Sequence, residues 1–177
     1  MKRILLALLV NVLAASAYAA TATDQAFQNL ADEYISELTN FSPVMATMIG
    51  DHSADGDIDQ VDAAAREESL TLLREYRDAL TSLDRKEMSR ANQVDAELLL
   101  HEIESSIWST EQLQEWAWNP LYYVDKSGGS IYSLLSLDYE PIEQRLMAAA
   151  SRLEQIPRFL EQARGELEPE RVPKIHA

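Results

Sequence analysis

In 177 residues the chain carries 30 acidic and 15 basic side chains, 46% hydrophobic residues and no cysteine. The formal charge of −15 sets aside nucleic acid as a partner, because that binding runs on Lys and Arg displacing counterions, and it disfavours an anionic membrane surface for the same reason. The hydrophobic content argues against disorder, and without cysteine no disulfide can hold the fold, so one domain must be stabilised by burial.

The chain opens like a targeting segment. Lys2 and Arg3 precede an apolar stretch, Ile4 to Leu13, broken by Asn11, and Ala17-Tyr18-Ala19 places small residues where a signal peptidase reads. Residues 1–19 are therefore expected to be a signal peptide cleaved between Ala19 and Ala20, leaving residues 20–177 as one helical domain in the periplasm or outside the cell. The apolar stretch is well short of the about 20 residues that span a bilayer, so no stable membrane anchor is expected.

From there Gly and Pro fall between runs of helical periodicity. A first helix is predicted from Thr23 to Thr39, burying Phe27, Leu30, Ala31, Tyr34, Ile35 and Leu38, with Asp24 off that stripe. Ser42-Pro43 reads as an N-cap with proline at the first helical position, and Gly50 stops this short helix. An Asp-rich loop follows. A second long helix is predicted over 60–83, burying Leu72, Leu73, Tyr76, Leu80 and Leu83. A third runs over 89–116 with Ser89 as cap and Val94, Leu98, Leu100, Ile103 and Ile107 inside. Pro120 ends it, an aromatic turn and Ser127-Gly128-Gly129 follow, and a short helix spans 131–137. Pro141 opens a last helix with Ile142, Leu146, Ala149, Leu153 and Ile156 on its inner stripe. Pro157 either kinks that helix or starts the next, which carries Leu160, Ala163 and Leu167 and ends at Pro169. The sum is an all-α antiparallel bundle or array of about five to seven helices. Val172 to Ala177 reads as a linker and the first turn of a further helix, which a lone turn could not hold, so the expectation is the N-terminal part of a larger helical fold.

The candidates for chemistry are few. His52, His101 and His176 form no metal pair; His101-Glu102 begins the zinc-peptidase pattern, but Ser105 stands where the second histidine belongs. No serine sits in a nucleophile elbow, and Gly128-Gly129 lacks the spacing of a phosphate loop. Residues 51–62 follow calcium-loop order, with Asp51, Ser53, Asp55, Asp57, Asp59 and Asp62 as oxygen ligands and Gly56 at the turn. Against that stand the short Asp62 at the last ligand position and Gly50 breaking the entering helix; the rival reading is an acidic connection that caps the next helix. Trp116, Trp118, Tyr122 and Tyr123 surround the proline turn and are candidates for lining a groove for a peptide or sugar, the alternative being core at a bundle end.

Several segments in order carry a family resemblance: Ser42-Pro43-Val44-Met45-Ala46-Thr47-Met48-Ile49-Gly50-Asp51-His52, Asp95-Ala96-Glu97-Leu98-Leu99, Trp118-Asn119-Pro120-Leu121-Tyr122, and Arg152 to Arg164 with Ile156-Pro157-Arg158-Phe159-Leu160 at its centre. Together they resemble the N-terminal region of the bacterial family called domain of unknown function 885. The resemblance implies a longer, mostly helical protein similar to zinc metallopeptidases, whose His-Glu-x-x-His motif lies far downstream. Zinc, catalysis and a peptide substrate would belong to that full-length protein; no residue here matches the motif, so no catalytic, cofactor or metal role is carried over. The role it implies for this region is one wall of a substrate cleft, inactive alone. The alternative is a stand-alone periplasmic helical binding module.

Overall fold

A computed structural model describes residues 21–176, so the expected leader and its cleavage point lie outside the described residues. Among the described residues there are seven α-helices and no strand; the connections are short except for the Asp-rich loop between the second and third helices.

The start of α1 (Ala22–Phe41) is fixed by a reciprocal box in which the Thr21 hydroxyl accepts from the Asp24 amide and the Asp24 carboxylate accepts from the Thr21 amide. Asp24, expected on the wet side, is buried, because it also accepts from the Ser89 amide at 2.8 Å and Asn92 Nδ2 at 2.7 Å. One carboxylate thus pins the first turns of two helices together. α2 (Pro43–Ile49) has the predicted Ser42 cap and ends at Gly50 with φ +94°, a conformation that glycine adopts without steric cost. α3 (Ala63–Ser82) begins later than predicted, at the point where the Asp62 carboxylate accepts from the Ala65 amide at 3.0 Å. After a turn of 3₁₀ helix at Arg85–Glu87, α4 (Arg90–Trp108) starts from the predicted Ser89 cap.

Here the structure departs from expectation. The third helix does not reach Trp116: it widens into a π turn at Ser109–Leu113, and Gln114 at φ 54° breaks it before the four-residue α5 (Glu115–Trp118). The carbonyls freed by that change are taken by side chains, Thr110 O by Trp116 Nε1 and Leu113 O by Trp118 Nε1, both at 2.9 Å. Asn119 then caps α6 (Pro120–Ser136), which runs straight through the residues expected to be an aromatic turn and a glycine turn. α7 (Ile142–Glu166) is likewise one helix, with Pro157 inside it on the solvent side. Short 3₁₀ turns at Pro169–Arg171 and Lys174–His176 follow.

Two clusters form the core. Phe27, Tyr34, Leu70, Leu73, Leu80, Met88, Ala96, Ile103 and Ile107 join α1, α3 and α4. Val44, Ile58, Tyr123, Phe159 and Ala163 join α2, the acidic loop, α6 and α7. Several predicted core positions lie outside both: Ile35, Val94, Leu98, Ile142, Leu146, Leu153 and Leu160 are exposed, and Leu100 is half-buried. On α7 the reason is rotational. The inward face is centred on Arg145, Ala149, Arg152, Phe159 and Ala163, so the apolar stripe read from the sequence covers that face at one margin and water at the other.

Candidate functional site

The Asp-rich loop has no regular structure, so its backbone acceptors need donors from elsewhere. α7 supplies them from one face. Arg152 Nε donates to Asp57 O at 2.7 Å, Gln155 Nε2 to Gly56 O at 2.8 Å and Arg158 Nη2 to Ile58 O at 3.2 Å. Arg152 is wholly buried, and its remaining bonds go to Ser130 O, Pro43 O and Thr47 Oγ1. Burial pulls its pKa down, while Asp55 and Asp59 nearby oppose that shift. Arg145, also buried, donates to the carbonyls of Leu134, Leu135 and Leu137, closing the C-terminal end of α6 with a cation where the helix dipole favours one.

The loop's oxygen groups are spread over separate partners. Asp51 accepts from the Ser53 amide, and hydrogen bonding from the Ser53 hydroxyl first and its amide second holds its carboxyl below the ordinary carboxylate value. Asp55 accepts from Thr47 Oγ1 at 2.6 Å and Tyr139 Oη at 2.5 Å, beside a His52 ring stacked on the Tyr139 ring with centroids 3.5 Å apart. Burial and Asp55 together push Tyr139 up to about 12. Asp57 and Ser53 are exposed. Asp59 is buried and accepts from Ser42 Oγ, the Val44 amide and Lys126 Nζ. Asp62 caps α3 with one oxygen and accepts from Gln162 Nε2 with the other. The fold therefore does not gather Asp51, Ser53, Asp55, Asp57, Asp59 and Asp62 around one point, and no cluster of three or more His, Cys, Asp or Glu able to hold a metal ion occurs among the described residues.

What the fold does bring together is a cleft of about 500 Å³ between the two cores. Asp59 and Asp62 from the loop, Arg66 from α3, Trp116 from α5, and Tyr122 and Lys126 from α6 line it. Two of the predicted groove residues, Trp116 and Tyr122, thus line it. Tyr123 belongs to the core, edge-on to Phe159, with its hydroxyl donating to Trp116 O at 2.6 Å, and Trp118 packs near His176 with ring centroids 6.1 Å apart. None of the three histidines lines the cleft.

The cleft wall is built from held charges. The Arg66 guanidinium lies 3.6 Å over the Trp116 ring and pairs with Glu166. Lys126 Nζ sits 3.0 Å from Asp59 and 5.4 Å from the Tyr122 ring centre. Burial works against the lysine charge, but Asp59 and Tyr122 outweigh it and leave its pKa above the ordinary lysine value. Both cations were invisible as site residues in the sequence, because one Arg and one Lys on separate helices carry no spacing signal. The arrangement sets fixed polar and charged groups next to two aromatic faces.

Residues 43–176 match the family described as "Bacterial protein of unknown function (DUF885)". No curated protein matches the sequence. Among solved structures, the chain is similar to a "putative lipoprotein of unknown function" from Shewanella oneidensis, with 25% identity and a TM-score of 0.73 over 80% of this chain. The match spans 26% of that chain, so the chain covers about a quarter of the length of the solved structure it resembles.

Proposed function

Because the chain belongs to the bacterial DUF885 family, we propose that it is the cleft-forming helical part of an exported, metallopeptidase-like protein, contributing ligand binding rather than bond cleavage. The observation that carries this reading is the cleft itself, in which Trp116 and Tyr122 stand beside Arg66, Lys126, Asp59 and Asp62. A short peptide suits such a wall: its apolar side chains meet the aromatic edges and its amides and termini meet the polar groups. The leader-like start and the lipoprotein description of the Shewanella chain support an envelope location.

The test is calorimetric titration of the purified chain with di- to tetrapeptides, alongside a hydrolysis assay with added zinc. The expected result is saturable binding, weakened at least tenfold by Trp116→Ala and by Ala65→Trp, which fills the cleft beside Arg66, with helix content retained and no peptide cleaved. No binding by any peptide would overturn the cleft assignment. Chelator-sensitive hydrolysis would overturn the supporting role.

A self-sufficient binding module is the second reading, and the observation favouring it is the pair of cores, each formed by buried side chains of the described residues. A single sharp thermal transition of the chain alone supports the module, whereas broad melting with self-association supports the part of a larger protein.

A further inference from the structure

Two exposed apolar seams run along the hairpin of α6 and α7. On α7, Ile142, Leu146, Leu153 and Leu160 are 44%, 51%, 56% and 45% exposed. At about 100° per residue they fall on one narrow strip, beside the buried face rather than opposite it. On α6, Leu121, Val124 and Leu135 are exposed at helical spacing, and Gly128 lies between them with nothing within 4 Å of where its Cβ would be. The other face of α6 buries Tyr123, Ser130, Ser133 and Leu134, so this helix is covered on one side and apolar on the uncovered one. A helix with apolar residues on both sides is the kind that lies inside a larger structure, and a glycine in the seam lets another backbone approach closely.

From these seams we infer that the outer face of the α6–α7 hairpin docks an amphipathic α-helix with basic flanks, supplied by a polypeptide other than a second copy of this chain. Three observations choose that occupant. The spacing on both helices is that of ridges meeting a helix. Exposed carboxylates flank the seams, Asp125 on α6 and Glu143 and Glu154 on α7, which form no ion pair among the described residues, while Arg164, the cation that continues the α7 strip, is already paired with Glu161; the unpaired carboxylates call for Lys or Arg opposite them. A second copy, itself of net charge −15, would set the same unpaired carboxylates against one another, a like-charge juxtaposition that binding disfavours. In the Shewanella chain nearly three quarters of the length lies outside the matched region, so a fold of this kind occurs within a longer polypeptide.

This goes beyond the cleft assignment and fails separately from it. The experiment uses two synthetic helical peptides with the same leucine seam, one flanked by lysines and one by glutamates, titrated into the full chain. The expected outcome is saturable one-to-one binding of the lysine-flanked peptide, at least tenfold tighter than its glutamate twin. A Leu146→Glu, Leu153→Glu double variant should weaken it at least tenfold, and because both positions are exposed its helix content and melting temperature should stay unchanged. Equal binding of the two peptides, or binding indifferent to the double variant, overturns the proposal. So does sedimentation showing that the chain alone is a dimer dissociated by the double variant, since the occupant would then be a second copy. Retention of peptide binding in the cleft by the double variant separates this result from the one above.

Discussion

The two halves of the molecule hold their helices together by different physics. Between α1, α3 and α4 the centre is hydrocarbon and aromatic, from Phe27 to Ile107, with the buried polar pair Asp24 and Asn92 at one end, and stability there scales chiefly with area removed from water. Between α7 and the loop it holds, the centre is Arg152, fully buried, with Thr47 bridging it to Asp55. An apolar core accepts many shapes of similar volume, whereas a satisfied polar network accepts one arrangement of donors and acceptors. The difference teaches that the second half is built to fix a loop, and that loop carries Asp59 and Asp62 into the cleft.

The comparison breaks first at Arg152. Arg152→Met keeps much of the stem but strands Asp57 O, Ser130 O and Thr47 Oγ1 without their donor. Each buried acceptor left without its donor costs about 1–3 kcal/mol, so the loss should be several kcal/mol, to be read as a shift in urea unfolding. Amide exchange at Asp57 to Asp59 should accelerate as well, because the loop loses its anchor. A cost under about 1 kcal/mol would be the ordinary surface scale and would mean that the network is decorative. Leu80→Ala tests the other half. Leu80 is 1% exposed, and emptying such a site costs about 2–5 kcal/mol; exchange in the loop after Gly50 should not change. Equal effects of both variants on that loop would erase the distinction between the halves.

This difference also explains what the sequence showed and what it hid. The apolar half was legible in part: Phe27, Tyr34, Leu73, Leu80, Ile103 and Ile107 are buried as their periodicity predicted, whereas Ile35, Val94 and Leu98, predicted with them, are exposed; the Ser42 and Ser89 caps stand where they were predicted. The polar half was not. Periodicity counts hydrocarbon, so α7 was oriented by its leucines when its inner face is set by Arg145 and Arg152. Gly128-Gly129 read as a turn because each glycine costs a helix about 1 kcal/mol relative to alanine; here the packing of Ser130 and Leu134, both 0% exposed, outweighs that cost. Of the candidate site, Trp116 and Tyr122 were found by composition, while Arg66 and Lys126 depend on contacts that only the fold creates.

A smaller effect sharpens the same contrast at the edge of the apolar half. Asp24 is held at about 2, below the ordinary 3.8, chiefly by the amides of Thr21 and Ser89. A carboxyl whose folded pKa is depressed contributes stability that is present above the unfolded value and lost as the pH falls through the folded one. The native chain should therefore lose stability between pH 3.8 and about 2 through this group. Asp24→Asn should be the less stable protein at neutral pH, and its disadvantage should narrow across that window, as read from urea midpoints at a series of pH values. A gap that stays constant with pH would show that Asp24 acts as a packed polar group and not as a titrating charge.

The smallest effect belongs to Leu153, and it tests where the buried face of α7 ends. By sequence Leu153 is indistinguishable from a core leucine, one helical step from Ala149 and Ile156; in the fold it is 56% exposed. Leu153→Gln removes no internal contact of either core and leaves its amide in water, so the change in stability should stay within about 0.5 kcal/mol. A loss of about 2 kcal/mol or more would place Leu153 on the scale of buried leucines. The seam would then be covered in the folded chain itself, and a face already covered could not receive a helix from elsewhere.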